Sequence, residues 1–444
     1  MSMKKIKNLS ESSFLKLFFL FIAVFFLIAA VCMPDRAEML SGFVKILTSP
    51  TKLSTNYFSV GGFAATCLNM GLVGLAIVAL YHFTKTTVNN VATLAFLLTV
   101  GFCSWGIHIL NMWFTMLGVV VGNLIKKEKP MANINAMLFS TGVAPLISDL
   151  LLRYPHSEVI GFNALGFALA IAAGIVIGLI VSSGLPHSPN VHKGFNLYSA
   201  ALPVGVATFL MNGVLYKVLG IDLPGAAGDL AVASRSMVNL FYGILFGLFV
   251  VFALLLGCTP KDYWKLLKNR NQVNNVSGTQ GNAVFLMNAG VFGLFILAYY
   301  NLIDANFNGV LFGLIFCMLC TCNSGSRPSN VWPIMLGYVV AATVTGFISP
   351  LLGGNFSLAI NAPAIVVGLC YANGLSPYCD KYGWQYGFVA AMIHYSIVTL
   401  VPNIHGGFCL YNGGFTGIFV CIILVPVLER FCKTKAERKA QEAK

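Results

Sequence analysis

The chain has 444 residues, 57% of them apolar, 9% charged, and a formal net charge of +13. Soluble domains carry about a quarter charged residues, so this composition excludes an ordinary soluble enzyme and points to a multi-pass membrane protein. The excess of Lys and Arg sits in short clusters between oily runs, which reads as the positive-inside signal rather than a nucleic-acid surface.

The N-terminus places Lys4, Lys5 and Lys7 before an apolar run, 14–32. No small-residue cleavage pattern closes that run, so it reads as a retained first span with the N-terminus cytoplasmic. A mixed segment, 33–57, reads as an interfacial amphipathic helix. Hydrophobic segments then follow at 60–84, 90–105, 107–125, 131–152, 158–182, 197–218 and 236–257. After a basic loop from Lys261 to Arg270 come 281–302, 307–322, 331–349, 356–372, 384–402 and 412–430. With the first, this makes about fourteen segments, against roughly 20 residues for a full span. The polar tail from residue 431 reads as a frayed cytoplasmic helix. On this count the clusters Lys126/Lys127/Lys129, Lys261–Arg270 and Lys433–Lys439 fall on one face, and the loop carrying Asp222 and Asp229 on the other. Both termini are then cytoplasmic, in a cell inner (plasma) membrane.

The chain also repeats itself. At an offset of 219, residues 62–121 align with 281–340 without a gap and 20 of the 60 positions are identical. They include Asn69/Asn288, Cys103/Cys322, Gly106/Gly325, Asn111/Asn330 and Trp113/Trp332. Ile134-Asn135-Ala136 then matches Ile360-Asn361-Ala362, and Pro189–Tyr198 matches Pro402–Tyr411. Seven segments separate the two starts. Seven is odd, so the copies are expected to point oppositely across the membrane, as in many secondary transporters. The expected organisation is an N-terminal span and interfacial segment (1–57), a first repeat (58–218), a linker span with a basic loop (219–280), a second repeat (281–430) and a tail (431–444). The fold class is all-α integral membrane, two inverted-topology repeats, each with a broken or re-entrant helix pair.

Each copy has a polar break in an apolar run: Gly101–Asn111, with Ser104 and His108, and Cys320–Asn330, with Asn323, Ser324, Ser326 and Arg327. Irregular backbone at membrane depth is tolerated where it is buried in protein or lines a polar cavity. The breaks are therefore expected to face a common cavity from opposite sides and to bind substrate through these side chains, Asn111 and Asn330 included. The competing reading makes each break an ordinary turn and Arg327 a positive-inside residue. Mid-span Asn69 and Asn288 read equally as substrate ligands or as interhelical glue. His192 and His405, in the matched loops, are candidates for gating or coupling, against a purely structural turn. The twelve Cys form no paired framework, and no metal site, cofactor site or catalytic residue is expected.

The stretches HKGFNLYSAALPVG (192–205) and SGSRPSNVWPIMLG (324–337) resemble an uncharacterised bacterial multi-pass membrane family known only as a domain of unknown function. That resemblance implies a lineage and no mechanism. The expected function is a secondary transporter moving a small polar solute, with a small organic anion favoured because the one charged break residue is basic. The alternatives are a channel for a small neutral solute and a non-transporting scaffold or sensor. Membrane lipid is an expected partner, nucleic acid is not, and homo-oligomerisation stays open.

Overall fold

The computed structural model describes residues 6–53, 55–156, 158, 161–225, 234–269, 271–355 and 358–442. Lys4, Lys5, Asp229 and Arg270, used above to assign faces, lie outside the described residues. Nineteen helices build and surround the two breaks. In the N-terminal half they are α1 (Glu11–Cys32), α2 (Met39–Thr48), α3 (Phe63–Phe83), α4 (Asn90–Phe102), α5 (Met112–Ile125), α6 (Ile134–Ser140), α7 (Ala144–Leu152), α8 (Ala164–Gly184) and α9 (Ala201–Asn212). In the C-terminal half they are α10 (Arg235–Leu255), α11 (Pro260–Lys268), α12 (Asn282–Leu302), α13 (Gly309–Leu319), α14 (Pro328–Leu351), α15 (Pro363–Ala372), α16 (Ser376–Lys381), α17 (Trp384–Ile397), α18 (Asn412–Phe431) and α19 (Lys435–Glu442). There is no strand among the described residues.

Nine helical runs among the described residues are long and apolar enough to cross a membrane, which makes the chain a multi-pass membrane protein. Other expected spans are shorter. The segments expected at 90–105, 107–125 and 307–322 become α4, α5 and α13, of 13, 14 and 11 residues. At 1.5 Å per residue these reach only about 16–21 Å, well short of a hydrocarbon core of about 30 Å.

The aligned stretches share local backbone as well as residues. Gly62 and Gly281 both take positive φ (90° and 94°), and each precedes a 21-residue helix. Lys85 and Asp304, also aligned, take φ of 55° and 53° after those helices. Asn89 and Asn308 then cap α4 and α13, their Oδ1 atoms accepting from backbone amides of the first turn. Such a cap satisfies donors that would otherwise be orphaned.

Packing repeats too. α1 lies along α3 as α10 lies along α12, and α5 along α8 as α14 along α17. Span α10 therefore has a counterpart in α1, and the segment expected to be a linker packs like the start of a second unit. Small residues let these helices close. A Cβ on Gly118 would come within 2.4 Å of the Gly174 carbonyl oxygen, and one on Gly337 within 2.6 Å of that of Phe388.

α4 and α13 cross at the centre in opposite directions. The start of α4 meets the turn after α13, through Asn323 Nδ2 donating to Thr93 Oγ1 at 3.1 Å. The start of α13 meets the region of the other break, where Asn56 Oδ1 accepts from Gly309 N and Ser104 O accepts from Tyr57 N. The halves also interlock. Leu197 N donates to Gly374 O at 3.0 Å, and Leu410 N to Gly142 O at 2.9 Å, while Tyr198 and Tyr411 lay their rings over those same two glycines.

Hydrogen bonds fix which loops share an end of the bundle. Asn282 donates to Leu9 O, Ser277 to Glu11, Gln272 to Gly194 O and Asn90 to Asn274 O, and Lys193 pairs with Glu429 at 2.6 Å. At the other end, Asn212 donates to Ile404 O and Leu53 to Gly407 O. The expected amphipathic segment is α2, with Gly42 and Ile46 buried against its neighbours and Leu40 and Val44 exposed. The tail does not fray as expected. It forms α19, which docks by Lys435 Nζ donating to Cys379 O at 2.6 Å and by Arg438 donating to Tyr382 O.

Candidate functional site: two braced breaks

The second break starts where α13 tightens into a turn over Cys320–Ser324. Gly325 then takes φ of 102°, and a Cβ there would stand 2.0 Å from Val273 O, so glycine is required. Pro328 opens α14, where its missing amide costs nothing. The carbonyls freed by the break are taken up by side chains. Asn288 Nδ2 donates to Cys322 O at 3.0 Å and to Ser326 O at 2.9 Å. Asn330 Nδ2 donates to Gly325 O at 3.1 Å, and its Oδ1 accepts from Arg327 N at 2.9 Å. The Arg327 guanidinium is 1% exposed and forks onto Asp380, Nη2 to Oδ1 at 2.9 Å and Nη1 to Oδ2 at 3.3 Å. Asn330 also donates to Asp380 Oδ2, at 3.0 Å.

The first break is built on the same plan. Asn69 Nδ2 donates to Cys103 O and Ile107 O, each at 2.8 Å. Asn111 Nδ2 donates to Gly106 O at 3.0 Å, and its Oδ1 accepts from His108 N at 2.9 Å. Where the second break has Arg327 on Asp380, this one has His108 Nε2 against Ser148 Oγ at 3.1 Å, with Asn111 also donating to Ser148 at 2.9 Å. The ring's Nδ1 accepts from the amides of Leu110 and Asn111, so the proton belongs on Nε2.

These contacts sort the expected site residues into two groups. Asn288, Asn323, Ser324, Ser326, Arg327 and Asn330 come together at one end of the α4–α13 pair, and Asn69, Ser104, His108 and Asn111 at the other. The single cavity expected between the breaks is not what the geometry gives, because α4 and α13 hold them apart by the length of a short helix. The amides of Asn69 and Asn288 are spent on break carbonyls, which is the bracing role. Asn323 accepts from Ser277 N, Ser324 from Asn90, and Ser326 meets Ser376. Ser104 donates to Gly101 O. His192 bonds Ser199 and His405 bonds Asn412, each within its own loop and at opposite ends of the bundle. Neither has a hydrogen bond to a break.

Sequence reasoning passed over Asp380 and Ser148, one on α16 and one on α7. It also passed over a second buried ion pair, Arg153 on Asp149 at 2.6 Å, completed by Tyr216 Oη donating to Asp149 Oδ2 at 2.5 Å. That cluster holds the segment Gly220–Gly225 over its end of the bundle. Arg153 donates to Asp222 O, and Lys52 Nζ to Pro224 O at 2.9 Å and Gly225 O at 2.7 Å. Burial lowers the pKa of this lysine, and the Asp149 carboxylate partly offsets the shift.

The second break opens on a cavity of about 1010 Å³. Arg327, Ser329, Asn330 and Asp380 form its inner wall and α19 covers part of it. Two tryptophans, Trp332 and Trp384, stack beside it with ring centroids 5.9 Å apart.

No curated protein and no solved structure matches the chain. A protein-family model does, over residues 35–217 and 259–430, and these two stretches take in both breaks and every residue that braces them. The chain therefore belongs to the family described as Protein of unknown function (DUF1576).

Proposed function

We propose that this protein is a secondary transporter of a small polar solute, with a small organic anion favoured, built from about fourteen membrane segments in two inverted repeats. The repeat unit runs from α1 to α9 and again from α10 to α18, each with a short, broken helix pair. The basic end of the bundle, with the N-terminal segment, the loop after α11 and α19, is cytoplasmic in an inner (plasma) membrane.

The observation that carries this reading is the matched pair of breaks at opposite ends of the antiparallel α4–α13 pair. One opens on a cavity of about 1010 Å³, and the polar side chains of its mate, Ser104, His108 and Asn111, are 0–2% exposed. Two equivalent elements in unlike states across one molecule are what alternating access requires, since exchanging their states moves the opening from one face to the other. The preference for an anion no longer rests on Arg327 alone, whose charge Asp380 balances, but on the basic lining around it. The test is uptake by sealed proteoliposomes. Saturable, counterflow-competent uptake of an organic anion is expected. Linear, non-saturating flux of neutral solutes would favour a channel, and binding without any flux a sensor or scaffold.

A further inference from the structure

The cavity at Arg327 draws most of its charge from outside the break. Its lining holds five cations, Arg327, Lys268 and three from α19, against two carboxylates, Asp380 and Glu442. Arg327 and Asp380 are joined as an ion pair, and outside that pair Lys268 at the end of α11 with Arg438 and Lys439 on α19 outnumber the carboxylate of Glu442. Two of the α19 cations dock that helix through backbone carbonyls, at Cys379 and Tyr382. The carbonyl that takes up Arg438 is a dipole and does not cancel its charge. Arg327 Nε lies in the same wall, on a side chain 1% exposed, without a hydrogen-bond acceptor among the described residues. Concave sites with low-dielectric walls and one sign of charge focus that field onto an entering ligand, and about 1010 Å³ is at the upper end of the range for small-molecule sites.

We propose that this cavity binds an anion carrying more than one oxyacid charge, carboxylate or phosphate, and that α19 is one wall of the site. Binding then draws α19 onto the second break and covers it. The proposal rests on the solute-binding role given to that break. The same chemistry is offered by a soluble metabolite and by an anionic lipid headgroup, and the experiment separates the two sources.

Full-length protein in a neutral detergent is titrated calorimetrically with citrate and with inorganic phosphate. In a parallel arm its melting temperature is compared in phosphatidylglycerol and phosphatidylcholine vesicles. The variants are Lys435→Gln/Arg438→Gln/Lys439→Gln on α19, Lys268→Gln on α11, and Lys126→Gln/Lys127→Gln, which removes exposed charge remote from the cavity. Lys268→Gln leaves the α19 anchors in place, so a fault in docking cannot mimic its effect. The expected result is that citrate or phosphate binds, that the α19 triple variant weakens binding by about ten-fold or more, that Lys268→Gln weakens it in the same direction, and that the remote pair leaves it unchanged. If neither soluble anion binds but phosphatidylglycerol alone raises the melting temperature, and the cavity variants abolish that rise, the site stands with a lipid headgroup as its ligand. The proposal is overturned if no anion source has an effect, or if the remote pair weakens binding as much as the cavity variants do. Binding that depends on the cavity but brings no uptake would remove the transporter reading and leave the site. Uptake with binding indifferent to these variants would do the reverse.

Discussion

Arg327 and Asp380 form the most exacting contact in the chain. A guanidinium that is 1% exposed is affordable only because a carboxylate, an asparagine and two backbone carbonyls surround it. Removing one partner strands the other. Arg327→Met alone is expected to destabilise the protein by about 3–5 kcal/mol, and Arg327→Met with Asp380→Leu to recover much of that loss. Thermal melting in detergent reads both, and a double variant no more stable than the single one would mean that the pair is not the source of the cost. The residue that makes this contact was hidden in the sequence for a physical reason. Asp380 follows a run of only ten apolar helical residues, so hydropathy assigns it to a loop. The signal that places it is Thr141-Gly142 and Pro145 read against Asn373-Gly374 and Pro377. That register puts Asp380 opposite Ser148, and so Arg327–Asp380 opposite His108–Ser148. By contrast Asn69, Asn111, Asn288 and Asn330 were legible as a set, because an amide spaced to reach the carbonyls of a break leaves an identity at fixed offset. Their role was not legible, since a brace and a substrate ligand use the same side chain.

At the scale of the element, the α4–α13 crossing separates the two breaks. It depends on glycine at the contact. A Cβ on Gly313 would stand 2.1 Å from Gly101 O and 2.2 Å from Ser104 Oγ, and one on Gly101 2.7 Å from Gly313 O. Backbone oxygens cannot move aside as side chains do, so Gly313→Val must part the helices. Overpacking of this kind costs about 1–3 kcal/mol or more, and Gly313→Val is expected to lower the melting temperature and abolish uptake. Gly213→Val is the control, because nothing lies within 4 Å of a Cβ there and its φ is negative. Equal behaviour of the two variants would remove the crossing from its central role. Hydropathy found α4, α5 and α13 as apolar segments but not how they pair. Their oiliness is uniform around the helix, so nothing in the sequence marks the face that meets a partner.

Over the whole molecule, the same motifs occur twice and meet across the halves. Tyr198 of the first half donates to Cys317 O and Asn373 Oδ1 of the second, and Leu410 of the second donates to Gly142 O of the first. Neither half buries its own breaks without the other, so the copies are expected to fold as one unit. The duplication was visible from residues 62–121 against 281–340, yet its extent was not. α1 and α10 share packing positions without sharing sequence, because an apolar helix at the rim of a bundle is constrained in oiliness rather than identity. The central claim is that the two copies run oppositely through the membrane, and sidedness tests it most directly. Lys193 and Asn403 are exposed positions in the two matched loops. With Cys32 and Cys432 replaced by Ser, Lys193→Cys and Asn403→Cys are introduced singly, and each is labelled in sealed right-side-out vesicles by a membrane-impermeant maleimide. The account predicts that Asn403→Cys labels in intact vesicles and Lys193→Cys only after permeabilisation. Labelling of both positions from the same side would contradict it.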